Sequence, residues 1–136
     1  MLFRSQVQVY EPILGAPGGT VTTGLLTAVT YLKDNRLLPR GFDKPTASKD
    51  VAVHGSALDD DDFTGGGDRI RYAVDVDGAA GPFTVEVRLC YQSIGYRWAK
   101  NLAGRPDAES VRFSRYYDAM AAESTLLLAA SSATVD

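Results

Sequence analysis

The sequence predicts a mainly β domain: an antiparallel two-sheet sandwich of jelly-roll-like order, with one or two short helices near the C-terminus. Three observations carry this. Residues 69–76 and 83–92 alternate apolar and polar at period two around a Gly/Pro turn. The span Thr20–Lys33 is dominated by β-branched and aromatic residues. Helical spacing of apolar residues occurs only late in the chain, where Val111, Phe113, Tyr117 and Met120 recur.

Taken in order, Gln6 to Leu14 alternates at period two and reads as a first strand, with Pro12 marking an edge position or a bulge. Gly15-Ala16-Pro17-Gly18-Gly19 is a turn. Five threonines between Thr20 and Lys33 weigh against a helix there and favour one long strand, or two strands broken near Gly24. Asp34-Asn35-Arg36 reads as a turn, after which Leu37 and Leu38 re-enter the core. Pro39-Arg40-Gly41-Phe42 suits a type II turn with Pro39 in its second position. Val51 to Val53 forms a short strand leading into the single histidine, His54. Asp59-Asp60-Asp61-Asp62 and Gly65-Gly66-Gly67-Asp68 then make a mobile, acidic, glycine-rich loop.

The alternating pair that follows predicts an antiparallel hairpin. Ile70, Tyr72, Val74 and Val76 share a buried face with Phe83, Val85, Val87, Leu89 and Tyr91. Arg69 and Arg71 are expected to meet Glu86 and Arg88 on the opposite face. Tyr96 to Leu102 is a short helix or loop ending at Gly104. Pro106-Asp107-Ala108-Glu109 has the proline and acids of a helix start, so a helix is expected over about Asp107–Ala122. Thr125 to Ala130 closes the chain as a buried strand or as the tail of that helix.

With 136 residues and 45% hydrophobic content, one domain spanning 1–136 is expected, burying roughly two-thirds of its unfolded surface without a staple. A net charge of −3, with 14 basic residues spread out, argues against nucleic acid as a partner. One cysteine, Cys90, excludes an internal disulfide, a multi-thiolate zinc site and haem c attachment within this chain. No apolar run approaches the roughly 18 residues of a membrane span, and Met1-Leu2-Phe3-Arg4 does not open a signal peptide.

The chemistry-bearing residues are few. His54 is a candidate base or ligand, yet no Gly-x-Ser-x-Gly elbow accompanies it, and a structural role is favoured. Asp59, Asp60, Asp61, Asp62 and Asp68 are candidate calcium ligands, although the spacing is not that of an EF-hand and four adjacent carboxylates ordinarily form a solvated run. Cys90 lies on the polar face of its strand and is expected half-buried. Tyr91, Tyr96 and Trp98 suit either a sugar-stacking platform or a buried interface, the latter favoured for the area they bring.

The stretches VQVYEPILG, VTTGLLTAVTYLKDNRLLPRGFDK, DDFTGGGDRIRYAVDV and FTVEVRLCYQSIGYRWAKNL resemble the C-terminal domain of bacterial multihaem c-type cytochrome-like proteins. The resemblance covers about Gln6 to Leu128. It implies a periplasmic or cell-envelope setting, a longer parent protein, and haem c in an adjoining region, since this chain has no Cys-x-x-Cys-His. On that reading the chain is a non-catalytic accessory domain that packs on or docks a haem-bearing domain or a partner cytochrome. Tyr31, Arg36, Phe42, His54, Tyr96 and Trp98 are the expected contact residues. The alternative is a β-sandwich module binding carbohydrate or another small molecule, supported by calcium at the acidic loop.

Overall fold

The computed structural model describes residues 7–136. Gln6, which opens the first expected strand, lies outside the described residues. Among the described residues five strands form two antiparallel sheets, accompanied by two α-helices. The chain divides into two compact units, Met1–Val74 and Asp75–Asp136, and each sheet belongs to one of them.

In the first unit, β1 (Pro12–Gly15) is the centre of a three-stranded sheet, flanked by β2 (Val21–Thr22) and β3 (Thr30–Asp34). The first strand is therefore shorter than its alternation predicts. Residues 9–11 are held instead by side chains: Asn35 Nδ2 donates to the Val9 carbonyl and Asn35 Oδ1 accepts from the Glu11 amide. The β-branched span does break at Gly24, where Thr27 Oγ1 and the Thr27 and Ala28 amides all bond the Gly24 carbonyl. The register between β1 and β3 shifts after the Ile13–Lys33 pair and skips Leu32, so the bulge falls in β3 rather than at Pro12.

The Pro39–Phe42 turn is closed by the Phe42 amide on the Pro39 carbonyl, with Gly41 at φ 86°. Pro39 thus occupies the first position rather than the second, because the third must carry positive φ and only glycine does so without strain. The expected strand at Val51–Val53 is reduced to one bridge, Asp34 to His54, followed by a short 3₁₀ turn over Gly55–Leu58.

Far from being a free loop, the acidic segment wraps the core of this unit. Phe63 is 1% exposed and packs with Val53 and Ala57, with Tyr10 and Leu38 against them. Lys44 Nζ donates to the Ala57 and Asp60 carbonyls, and the Gly66 amide donates to the Leu38 carbonyl.

In the second unit, β4 (Phe83–Tyr91) pairs along its whole length with β5 (Leu126–Val135). The expected hairpin between residues 69–76 and 83–92 is corrected here. Residues 69–76 form no strand, although the Asp-Gly turn is made: Asp77 and Gly78 have φ 48° and 73°, and the Ala79 amide bonds the Val76 carbonyl. The arginines are drawn elsewhere, Arg71 and Arg69 lying 3.4 and 3.9 Å from Asp62, and the Tyr72 hydroxyl accepts from the Gln8 amide. The segment Leu126–Val135, uncharged and rich in Leu, Ala and Ser, offers β4 a register of nine pairs instead.

Between the two strands lie α1 (Tyr96–Ala103) and α2 (Ala108–Met120), which pack on each other. The second matches the helical spacing read from the sequence, and the first takes the helical of the two alternatives, helix or loop, read for Tyr96 to Leu102. Gly104 ends α1, and Asp107 caps α2 by accepting from the Ser110 amide at 2.9 Å. The helices precede the last strand, so the chain terminates in sheet. Thr125 Oγ1 donates to Gln92 Oε1 and Gln92 Nε2 donates to Ser124 Oγ, tying the open end of the β4–β5 ribbon.

Candidate functional site

Two features of the structure concentrate polar or apolar surface. The first is built on the end of β3. Asp34 and Asn35, read from sequence as parts of a turn, are 5% and 3% exposed. Asp34 closes the bridge to His54 through its backbone, and its carboxylate takes both the Nε and a terminal nitrogen of Arg36, at 2.9 and 2.6 Å. These bonds hold the Arg36 guanidinium above its ordinary pKa, working against the burial that lowers it.

The same bridge sets His54 beside Tyr31, their ring centroids 5.5 Å apart, while the Arg36 guanidinium lies 5.9 Å from the Tyr31 ring. Gly55, at φ 78°, permits this approach, since a Cβ there would stand 3.1 Å from the Leu32 carbonyl. Beside the pair opens a cleft of about 390 Å³. Leu14, Ala28 and Val29 give it apolar walls, and Lys49 and Asp50 stand at its edge with His54 and Tyr31.

Three of the six expected contact residues, Tyr31, Arg36 and His54, therefore come together. Phe42 is half-buried in its turn, its backbone packed against Gly65. Tyr96 and Trp98 stand exposed on α1 of the second unit. Among the described residues no hydrogen bond joins the His54 ring to a Ser, Thr, Cys or carboxylate.

The expected calcium ligands do not converge. Asp62 faces Arg69 and Arg71, Asp60 Oδ1 accepts from the Asp62 amide, and Asp68 Oδ2 accepts from the Tyr10 hydroxyl at 2.7 Å. Among the described residues no group of three or more His, Cys, Asp or Glu is placed to hold a metal ion. Burial first, and the Asp68 carboxylate second, push the Tyr10 hydroxyl above its ordinary pKa of 10.0.

The second feature is the β4–β5 ribbon. Pairing Val85 with Ala133, Val87 with Ser131 and Leu89 with Ala129 places one apolar-to-small face along it, with Phe83–Val135 and Tyr91–Leu126 at its ends. The sequence expected this face buried. It is exposed, Leu89 at 38% and Val87 at 55%, and every residue of β5 is exposed as well. The opposite face carries Thr84, Glu86 and Arg88, with Arg88 bonded to Glu86 at 3.0 Å. Cys90, expected half-buried, is exposed opposite Leu127. The register skips Leu128, so the bulge falls in β5 and β4 stays regular.

No protein-family model, no curated protein and no solved structure matches this chain. No helix among the described residues is long and apolar enough to cross a membrane. With one His and one Cys, the chain also lacks the residues for covalent haem attachment.

Proposed function

We propose that this chain is a non-catalytic interaction module of a larger electron-transfer protein in the periplasm or cell envelope, and that it docks a haem-bearing region. The observation that supports this is the uncovered apolar face of the β4–β5 ribbon. A two-stranded ribbon is at best marginally stable in water, because one of its faces must be covered. Nine residue pairs at ~3.4 Å rise and two strands ~4.8 Å apart give a face of roughly 300 Å². Contiguous apolar patches of that size are often functional surfaces. The electron-transfer setting rests on the sequence resemblance. On this reading the haem-bearing region supplies the cover that a two-sheet, jelly-roll-like sandwich requires.

The test is a titration of the haem-loaded adjoining region into this chain, followed by the Soret band and by calorimetry. Ala129→Asp together with Ala133→Asp places two charges on the face through β5 alone. Saturable binding that this double variant weakens at least about tenfold supports docking. The absence of Cys-x-x-Cys-His in the adjoining coding sequence, or equal binding by the variant, overturns it.

A second reading is favoured by one specific observation, the cleft beside Tyr31 and His54. Its apolar walls and two rings suit a small sugar or similar ligand. Heat released with a glycan panel and lost in Tyr31→Ala would support that reading. A silent titration removes it.

A further inference from the structure

We propose that β4 is a self-pairing edge: two copies of this chain join through antiparallel β4–β4 contact centred on Val87. The inference goes beyond the docking proposal, because it uses the outer edge of β4 rather than the face of the ribbon.

Among the described residues, β4 has a strand partner on one side only. Apart from the charges of Glu86 and Arg88, its outer edge lacks the features that ordinarily block strand addition. Pro82 lies before the strand, no lysine occurs within it, and the bulge of the ribbon is in β5. A long, regular and unblocked edge presents a row of unpaired amides and carbonyls to any matching strand.

The matching strand is β4 itself. Read outward from Val87, the sequence Phe-Thr-Val-Glu-Val-Arg-Leu-Cys-Tyr is nearly palindromic in chemistry. An antiparallel pair centred there sets Glu86 of each copy opposite Arg88 of the other, giving two ion pairs related by a two-fold axis. It also sets Val85 opposite Leu89, Phe83 opposite Tyr91 and Thr84 opposite Cys90, so apolar residues meet apolar ones and acid meets base. Neighbouring registers fail. Centring on Glu86 or on Arg88 brings like charges face to face, and a shift by half a step puts apolar residues opposite charged ones. The intrachain contact between Arg88 and Glu86 does not compete strongly, since both side chains are about two-thirds exposed, at 65% and 60%.

The product is a closed, isologous assembly with strand order β5-β4-β4-β5. Its four strands exceed the number needed for an independently stable sheet. The apolar face doubles to roughly 600 Å² on the strand spacings used above.

Two measurements test this on the whole chain. By analytical ultracentrifugation, Glu86→Arg and Arg88→Glu each weaken the dimer by about tenfold or more, because each replaces two attractive contacts with two repulsive ones. The double reversal E86R/R88E restores it, and mixing the two single variants gives the heterodimer. In a Cys90→Ser background, Val87→Cys cross-links between copies under diamide, since paired Cα atoms lie ~4.5–5.5 Å apart, within disulfide reach. Val85→Cys does not, because its two copies stand ~14 Å apart in this register. A monomer at 100 µM, a double reversal no better than either single variant, or equal cross-linking at positions 85 and 87 overturns the proposal. Far-UV circular dichroism on each variant separates lost pairing from lost folding.

Discussion

Replacing Phe63 with alanine removes the one large side chain around which the first unit is packed. Phe63 is 1% exposed, stacks on Tyr10 with centroids 6.5 Å apart, and touches a buried set of only Val53 and Ala57. Truncating a buried phenylalanine ordinarily costs about 3–5 kcal/mol, the upper end applying where the cavity stays open. Here Tyr10 and Leu38 border the core while remaining partly exposed, so they are free to move inward. The expected loss is therefore near the lower end, about 3 kcal/mol. With a urea m-value of about 2 kcal/mol/M, that is a fall of about 1.5 M in the unfolding midpoint. Phe63→Leu keeps most of the volume and gives up the ring stacking, so about 1–2 kcal/mol is expected. Urea unfolding followed by amide exchange at Val53, Ala57 and Phe63 reads the effect where it arises. A midpoint shift below about 0.3 M for Phe63→Ala would show that this cluster does not hold the unit together.

Three further outcomes follow from particular contacts. Tyr10 keeps its proton in the folded state beyond 10.0, the value at which the unfolded side chain releases it, so stability is intact below that pH and declines as pH rises above it. Tyr10→Phe should flatten that alkaline decline in a midpoint-against-pH series, while costing about 1–3 kcal/mol at neutral pH because the partly buried Asp68 carboxylate loses its donor. Gly65→Ala should destabilise the first unit by about 1–3 kcal/mol in the same urea assay, since the added Cβ would stand 2.5 Å from the Phe42 carbonyl oxygen, which is backbone and cannot swing aside. Asp107→Ala should lower the helical signal at 222 nm at neutral pH. The Ser110 amide holds the Asp107 carboxylate below its ordinary pKa of 3.8, so the parent keeps its cap above that pH and loses it on acidification, whereas the variant should show no such acid step.

Much of the local structure is legible in the residues. The Asp107 cap and the helical spacing that follows it locate α2, and the Gly104 stop locates the end of α1. Gly24 marks the break between β2 and β3, and Asp77-Gly78 forms the turn its residue types require. The errors share one cause. Alternation at 69–76 and 83–92 is equally good evidence for two strands paired with each other or with something else. Period two reports a face, and carries no information on which neighbour supplies the hydrogen bonds. The first candidate site was legible in part: Tyr31, Arg36 and His54 are visible as residue types, while their meeting depends on a single backbone bridge from Asp34 to His54.

By itself the sequence determines the Gly24 break, the Asp77-Gly78 turn, the second helix with its cap, the strand at 83–91 and the absence of an obvious catalytic motif, because those follow from φ preferences, caps and periodicity within a few residues. Only the tertiary structure decides that residues 126–135 rather than 69–76 pair with β4. It alone turns the acidic loop inward around Phe63 and leaves an apolar ribbon face uncovered. These are choices among partners far apart in the chain. They are settled by long-range pairing, such as that of Phe83–Tyr91 with Leu126–Val135, that no local pattern encodes.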